Sequence, residues 1–208
     1  HSIVNLIKNK KLVFLIAYSS LLLGLLIIYI ISLSLSINIL ILIFSSCALG
    51  YLYQGPPFRL GYLGLGEPLC WLAFGPLAFA AALIALNPLG TYTNEIPWRE
   101  SLLLGTGPAL SITLVLFCSH FHQVKEDNKF GKISPLVLMG TKKSALLIPW
   151  IIIFIYSFQT YTIFIDFIPK LCLLYLFSFP YALKLINLVN NYYHNPRALR
   201  DCKFIALK

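Results

Sequence analysis

Six apolar runs alternate with short polar segments along the chain, at residues 12–31, 33–52, 69–87, 101–118, 145–165 and 168–188. At 1.5 Å of helical rise per residue, about 20 residues cross a bilayer core roughly 30 Å thick. Inside lipid every backbone N–H and C=O must find its partner within the spanning structure, and continuous apolar runs do this as helices. The pattern therefore predicts an all-α fold, a polytopic membrane helix bundle forming one domain over residues 1–208. The first two runs are joined almost without a polar break, so their boundary is soft. Pro76, Pro108, Pro149 and Pro180 fall within runs and predict kinks, because proline removes a donor and clashes with the preceding turn. Gly75-Pro76 and Gly105-x-Gly107-Pro108 predict gaps between helices. Such gaps suit a long apolar ligand and close helix packing equally well.

Composition agrees: the chain is 59% hydrophobic and 11% charged, with a mean hydropathy of +0.82. Soluble domains carry about 25% charged residues. A charged opening leads directly into a full-length span, which is not a signal-peptide pattern. The chain opens on His1 and closes on CKFIALK at residues 202–208, which reads as the beginning of another segment. The expectation is a fragment of a larger polytopic protein. Cys47, Cys70, Cys118, Cys172 and Cys202 show no CxxC pair and no ligand spacing, and read as small apolar filler.

The net charge of +9 would suggest nucleic acid in a soluble protein. Here six alternating spans sort it by side, and no nucleic-acid partner is required. Lys8, Lys10, Lys11, Arg59, Lys125, Lys129, Lys132, Lys142, Lys143, Arg197, Arg200, Lys203 and Lys208 fall together, Arg99 and Lys170 fall opposite, and Lys184 lies within the last span. The positive-inside rule makes the basic side cytoplasmic, or stromal in a plastid. A basic inner face is the default for membrane proteins, so this speaks for topology and hardly for function.

Two segments on that side are unlike ordinary connectors. Residues 53–68, YQGPPFRLGYLGLGEP, are too apolar for a solvated linker and too rich in glycine for a stable helix. Their backbone N–H groups can cradle an anion, and Arg59 can pair bidentately with a phosphate or carboxylate. A rigid connector with a snorkelling arginine explains the spacing equally well. Residues 119–135, SHFHQVKEDNKFGKISP, read as a polar loop between spans four and five. Glu126 and Asp127 offer oxygen ligands to Mg²⁺, which takes one or two carboxylates and completes its shell with water and phosphate. Lys132 offers a point charge. The rival reading is a solvated mixed-charge turn. His120 and His122 share a face on an extended chain and diverge on a helix, and as an H-x-H pair without further ligands they are weak evidence for zinc.

At these two segments the chain resembles the UbiA superfamily of intramembrane prenyltransferases, and within it the dihydroxynaphthoate phytyltransferases of cyanobacteria and plastids. The residues that carry the resemblance are YQGPPFRLGYLGLGEPLCWLAFGP at 53–76 and CSHFHQVKEDNKFGKISPLVLMGT at 118–141, with support from HSIVNL at 1–6 and CKFIAL at 202–207. The resemblance implies a nine-span fold around a central cavity, of which the six spans here correspond to the third through the eighth. It implies two acidic motifs that hold Mg²⁺-bound prenyl diphosphate. The first, Asn-Asp-x-x-Asp, would precede His1. In the second, Asp-x-x-x-Asp, the matching positions read Gln123 and Asp127.

The reaction implied by the resemblance is Mg²⁺-dependent transfer of a phytyl group from phytyl diphosphate to 1,4-dihydroxy-2-naphthoate, with loss of CO₂, in phylloquinone or menaquinone synthesis. Asp127 and Glu126 are the implied metal residues, and Arg59, Lys132, Tyr53 and Glu67 the implied substrate contacts. Asp127, Gln123, His120 and His122 are the catalytic candidates, with a histidine assisting deprotonation of the ring hydroxyl. The implied location is a thylakoid, inner-envelope or cyanobacterial membrane, with the site on the stromal or cytoplasmic side. A different acceptor (homogentisate or 4-hydroxybenzoate) and a polyanion-binding transporter are the alternatives. A transporter usually shows repeats in matching halves, and none is visible. The fragment by itself is expected to be inactive, because its partner motif lies outside it.

Overall fold

A computed structural model describes residues 10–34, 36–86 and 95–208. The HSIVNL stretch at residues 1–6 lies outside them. Among the described residues, six helices are long and apolar enough to cross a membrane: Lys11–Leu33, Ile37–Gln54, Gly66–Ala85, Trp98–Lys129, Thr141–Phe164 and Lys170–Tyr192. By element these are α1 (Lys10–Ser34), α2 (Ile37–Gln54), α3 (Gly66–Leu72) running through a π-turn into α4 (Ala78–Ala85), α5 (Trp98–Lys129), α7 (Thr141–Phe164) and α8 (Phe179–Tyr192). Two short helices, α6 (Pro135–Met139) and α9 (Cys202–Ala206), complete the set. No strand occurs among the described residues.

Local chemistry explains the boundaries. Ser36 caps α2, its hydroxyl accepting from the Asn38 N–H at 3.2 Å, a standard way to satisfy an orphan donor. Pro135 opens α6 at its first turn, where a missing N–H costs nothing. Pro76 is absorbed in the π-turn Ala73–Leu77, a local adjustment by which a spanning helix re-pairs its freed carbonyls. Pro180 does not kink a span as expected. The chain is a 3₁₀ helix from Lys170 to Ser178, and Pro180 sits in the first turn of α8.

The largest departure concerns residues 119–129, expected as a loop. They are the last turns of α5, which runs unbroken to Lys129. The helix closes where the Gly131 N–H donates to Asn128 O at 3.2 Å and the Lys132 N–H to Asp127 O at 2.8 Å. This pair of bonds is a Schellman cap, and Gly131 takes the left-handed φ of 70° that the cap requires.

Two apolar clusters hold the bundle. One joins α5, α6, α7, α8 and α9 through residues such as Phe117, Phe121, Leu136, Ile148, Leu185 and Cys202. The other joins α2, the π-turn and α4 through Ile39, Leu42, Leu77, Ala80 and Ile84. The clusters meet across α5, where the glycines decide in favour of close packing. A Cβ on Gly105 would lie 2.9 Å from the backbone of Gly75, and one on Gly75 would lie 2.9 Å from Ala109 Cβ. Gly105→Val should therefore destabilise the bundle by about 1–3 kcal/mol, the cost of forcing volume into a packed interface. Its melting temperature in detergent should fall, while Gly24→Ala, which meets nothing within 4 Å, should leave it unchanged.

Candidate active site

Three elements converge at one end of the bundle. The segment between α2 and α3 folds back through a 3₁₀ turn at Leu60–Tyr62 and docks on the connector after α5, where the Ile133 N–H donates to Tyr62 O at 2.8 Å. Gly64 adopts a φ of 82° beneath this connector, and a Cβ there would come within 3.2 Å of Ile133 O. The two segments singled out in the sequence are thus one structural unit.

Its centre is His120. The ring is 2% exposed and lies between two carboxylates, Nδ1 hydrogen-bonded to Asp127 Oδ2 at 3.1 Å and Nε2 3.4 Å from Glu67 Oε1. His120 and Asp127 are seven residues apart, two turns on one face of α5. Glu67 arrives from the first turn of α3. The Schellman cap turns the chain back so that Lys132 Nζ stands 3.7 Å from Asp127 Oδ1. Buried charges persist where they are paired, and the order carboxylate, imidazole, carboxylate, ammonium provides the pairing. One atom is left over. Glu67 Oε1 is buried and has no hydrogen-bond partner, since its approach to His120 is an ion-pair distance without hydrogen-bond alignment.

The other candidates fall around this core or away from it. Tyr53, half-buried at the end of α2, packs its ring against Gly61 and Gly66, and its phenol feels both Glu67 and Asp127. Gln123 is half-buried one turn before Asp127. His122 and Glu126 do not join the cluster. His122 points away from the His120–Asp127 pair as a helix demands, its electrostatic neighbours being Lys203, Glu126 and Arg200 as well as His120, and Glu126 is exposed. Arg59 is exposed in a left-handed backbone conformation, its guanidinium 5.9 Å from the Tyr62 ring centre. The bridging partnership of Glu67 with His120 is invisible in the sequence, because no spacing rule connects residues on separate helices.

Among the described residues, no three His, Cys, Asp or Glu side chains form a complete cage for an ion. Asp127 nevertheless suits one shared with a ligand. Its Oδ1 is approached by Lys132 alone at 3.7 Å, and Mg²⁺ is commonly held by one or two carboxylates plus phosphate and water.

One cavity is lined by Glu67 of the cluster and another by Tyr53 beside it. The one lined by Tyr53, of about 610 Å³, is otherwise walled by residues such as Cys70, Ile43, Leu49, Phe74 and Leu116. The other, of about 320 Å³, lies between Gly64, Glu67, Thr113, Phe117, Met139 and Ile151.

The UbiA prenyltransferase family matches residues 3–207. Over 208 residues the chain is 41% identical to the 2-carboxy-1,4-naphthoquinone phytyltransferase of Synechocystis sp., covering 100% of this chain and 66% of that relative. Over 197 residues it is 39% identical to the chloroplastic 2-carboxy-1,4-naphthoquinone phytyltransferase of Arabidopsis thaliana, covering 92% and 50%. The 1,4-dihydroxy-2-naphthoate octaprenyltransferase of Bacillus subtilis is 26% identical over 101 residues, covering 49% and 30%. The chain thus spans less than two thirds of the length of these relatives. No solved structure matches it significantly.

Proposed function

The chain belongs to the UbiA prenyltransferase family, and on that premise we propose that its protein transfers a phytyl group from phytyl diphosphate to 1,4-dihydroxy-2-naphthoate. The observation that carries this reading is the Glu67–His120–Asp127–Lys132 cluster beside an apolar cavity lined by Tyr53, whose phenol feels Glu67 and Asp127. Charge at one end and hydrocarbon at the other is what a prenyl diphosphate presents. The names of the Synechocystis and Arabidopsis relatives support the acceptor and the phytyl donor.

UbiA prenyltransferases generally bind diphosphate through a divalent metal, and Asp127 is the residue we assign to a Mg²⁺ ion. The chemistry such an ion supplies is neutralisation of the leaving pyrophosphate. Lys132 adds a fixed positive charge beside it. His120 holds Asp127 in place by its Nδ1 hydrogen bond, and Tyr53 closes the cavity head. The allylic C–O bond breaks with its electron pair on pyrophosphate, and the acceptor's carboxylate-bearing ring carbon forms the new C–C bond. The C–CO₂⁻ bond then breaks, CO₂ leaves, and its electron pair restores the aromatic ring. The cluster faces the basic side of the membrane, which the positive-inside rule makes stromal or cytoplasmic. The chloroplastic relative favours a plastid membrane.

The complete protein in nanodiscs, given phytyl diphosphate and Mg²⁺, should prenylate and decarboxylate dihydroxynaphthoate. Transfer only to homogentisate or 4-hydroxybenzoate would overturn the acceptor, and transfer to none of the three would overturn the reaction. In the same assay Arg59→Ala should raise KM for one anionic substrate by about tenfold, the loss of roughly one charge-assisted contact, with kcat and melting temperature unchanged. Unaltered KM values for both substrates would remove Arg59 from substrate binding.

A further inference from the structure

The geometry points to a docking site for an anionic membrane lipid on the outer face of α8, where Lys184, Asn187 and Asn191 receive the headgroup.

Helix α8 packs through one face. Ala182, Leu185, Ile186 and Val189 belong to the apolar cluster that joins it to α5, α7 and α9. At about 100° per residue, Lys184, Asn187 and Asn191 fall on the opposite face, and all three are exposed. A helix in hydrocarbon ordinarily turns apolar side chains outward, because lipid tails offer polar groups no partner. These three residues nevertheless belong to the span Lys170–Tyr192. Among the described residues, their side chains form no hydrogen bond or ion pair. The stripe therefore calls for a partner that can satisfy an ammonium and two amides at the edge of the bilayer.

A shallow groove of about 460 Å³ runs along this face, lined by Pro180, Leu183, Lys184, Asn187 and Asn191, with Leu188 and Tyr192 beside them. Measured along the helix axis at 1.5 Å per residue, Pro180 and Leu183 stand about 18 and 14 Å from Tyr192, Lys184 about 12 Å and Asn187 about 8 Å. Asn191 adjoins Tyr192, and Arg197 and Arg200 follow shortly after. The apolar end is thus the deep one, and the polar end approaches the basic surface where an aromatic ring marks the interface. A lipid of the adjoining leaflet has the same order, with acyl chains deep and headgroup outward.

The donors select the headgroup. The ammonium carries three N–H donors and a full charge, and each asparagine amide carries two donors and an acceptor oxygen. Among the described residues, no Asp or Glu lines the groove, so Lys184 has no counter-ion there. A phosphodiester accepts from the ammonium and the amides, and a hydroxyl on the headgroup donates to an amide oxygen. A choline headgroup fits poorly, since it has no donor and brings a second cation towards Lys184. A second copy of the chain fits poorly as well. The two-fold axis of a membrane dimer runs along the bilayer normal, which would set Lys184 beside its own counterpart at the same depth.

Native mass spectrometry of the complete protein, titrated with phosphatidylglycerol or with phosphatidylcholine of the same acyl chains, tests the site. The wild type should bind one phosphatidylglycerol in preference to phosphatidylcholine. Lys184→Gln should weaken that binding about fivefold, the worth of one lysine at an anionic surface, and Asn187→Leu with Asn191→Leu should weaken it further. Lys184→Arg should retain it. Lys142→Gln with Lys143→Gln, which removes exposed charge from the first turn of α7, should leave it unchanged. All these positions are exposed, so circular dichroism and melting temperature should match the wild type. No headgroup preference in the wild type, or equal weakening by the Lys142 and Lys143 changes, would overturn the site by showing a general attraction of the basic surface. A wild-type dimer that Lys184→Gln converts to monomer would overturn it in favour of a second copy.

Discussion

Asp127→Ala in the complete protein is expected to lower prenyl transfer by about 10²–10³-fold at saturating Mg²⁺, the usual cost of removing a group that stabilises developing charge. Three contacts converge on this residue: the His120 ring on Oδ2, the Lys132 ammonium near Oδ1, and the Lys132 N–H on its backbone carbonyl. Truncation removes the oxygen we assign to the metal and both side-chain partners' anchor while leaving the Schellman cap, which uses backbone atoms. The loss should therefore appear in kcat and in apparent metal affinity, with the fold retained. Steady-state kinetics across a Mg²⁺ titration, together with circular dichroism, would check it. Wild-type turnover at saturating metal would remove Asp127 from the assigned role.

The second large effect concerns stability. His120→Leu places an apolar side chain between Glu67 and Asp127, leaving two nearly buried carboxylates without their shared partner. Breaking a buried ionic arrangement in this way costs about 3–5 kcal/mol, more than the packing change at Gly105. The melting temperature in detergent should fall well below that of wild type. His120→Gln, which keeps an N–H donor, should recover part of the loss. Equal melting of the leucine variant and wild type would show that His120 does not hold α3 to α5.

How much of this is legible in the sequence differs by level. The six spans follow from hydropathy alone, since lipid leaves few alternatives to a helix. Residues 119–129 read as a loop because they are polar, yet polar composition marks an exposed or site-lining helix end just as well. Two signals favour the helix. Phe117, His120, Val124 and Asp127 keep a helical period, and Gly131 supplies a helix stop just past the last periodic residue. Of the candidate residues, Asp127 and Lys132 meet because a cap brings them together, a local event that sequence can encode. Glu67 and His120 meet across two helices, which no local pattern records. The resemblance implies Glu67 as a substrate contact; in the structure its carboxylate pairs with His120 across 3.4 Å. Glu126 draws attention by its charge beside Asp127, yet adjacent positions on a helix face about 100° apart, and it turns to solvent.

The glycines show the same division. Gly75 and Gly105 stand out as small residues beside prolines, but whether they open a ligand gap or allow close contact depends on what lies across from them. Each proves to face the other, at distances that exclude a side chain. The cavities lie elsewhere, lined by residues on either side of Pro68 and Leu69.

The most direct measurement is donor binding. Affinity of a prenyl thiodiphosphate for the complete protein should depend on Mg²⁺ and should fall about 100-fold in Asp127→Asn, with naphthoate affinity retained. Donor binding that is as tight in Asp127→Asn as in wild type, or equally tight after chelation of the metal, would contradict the account.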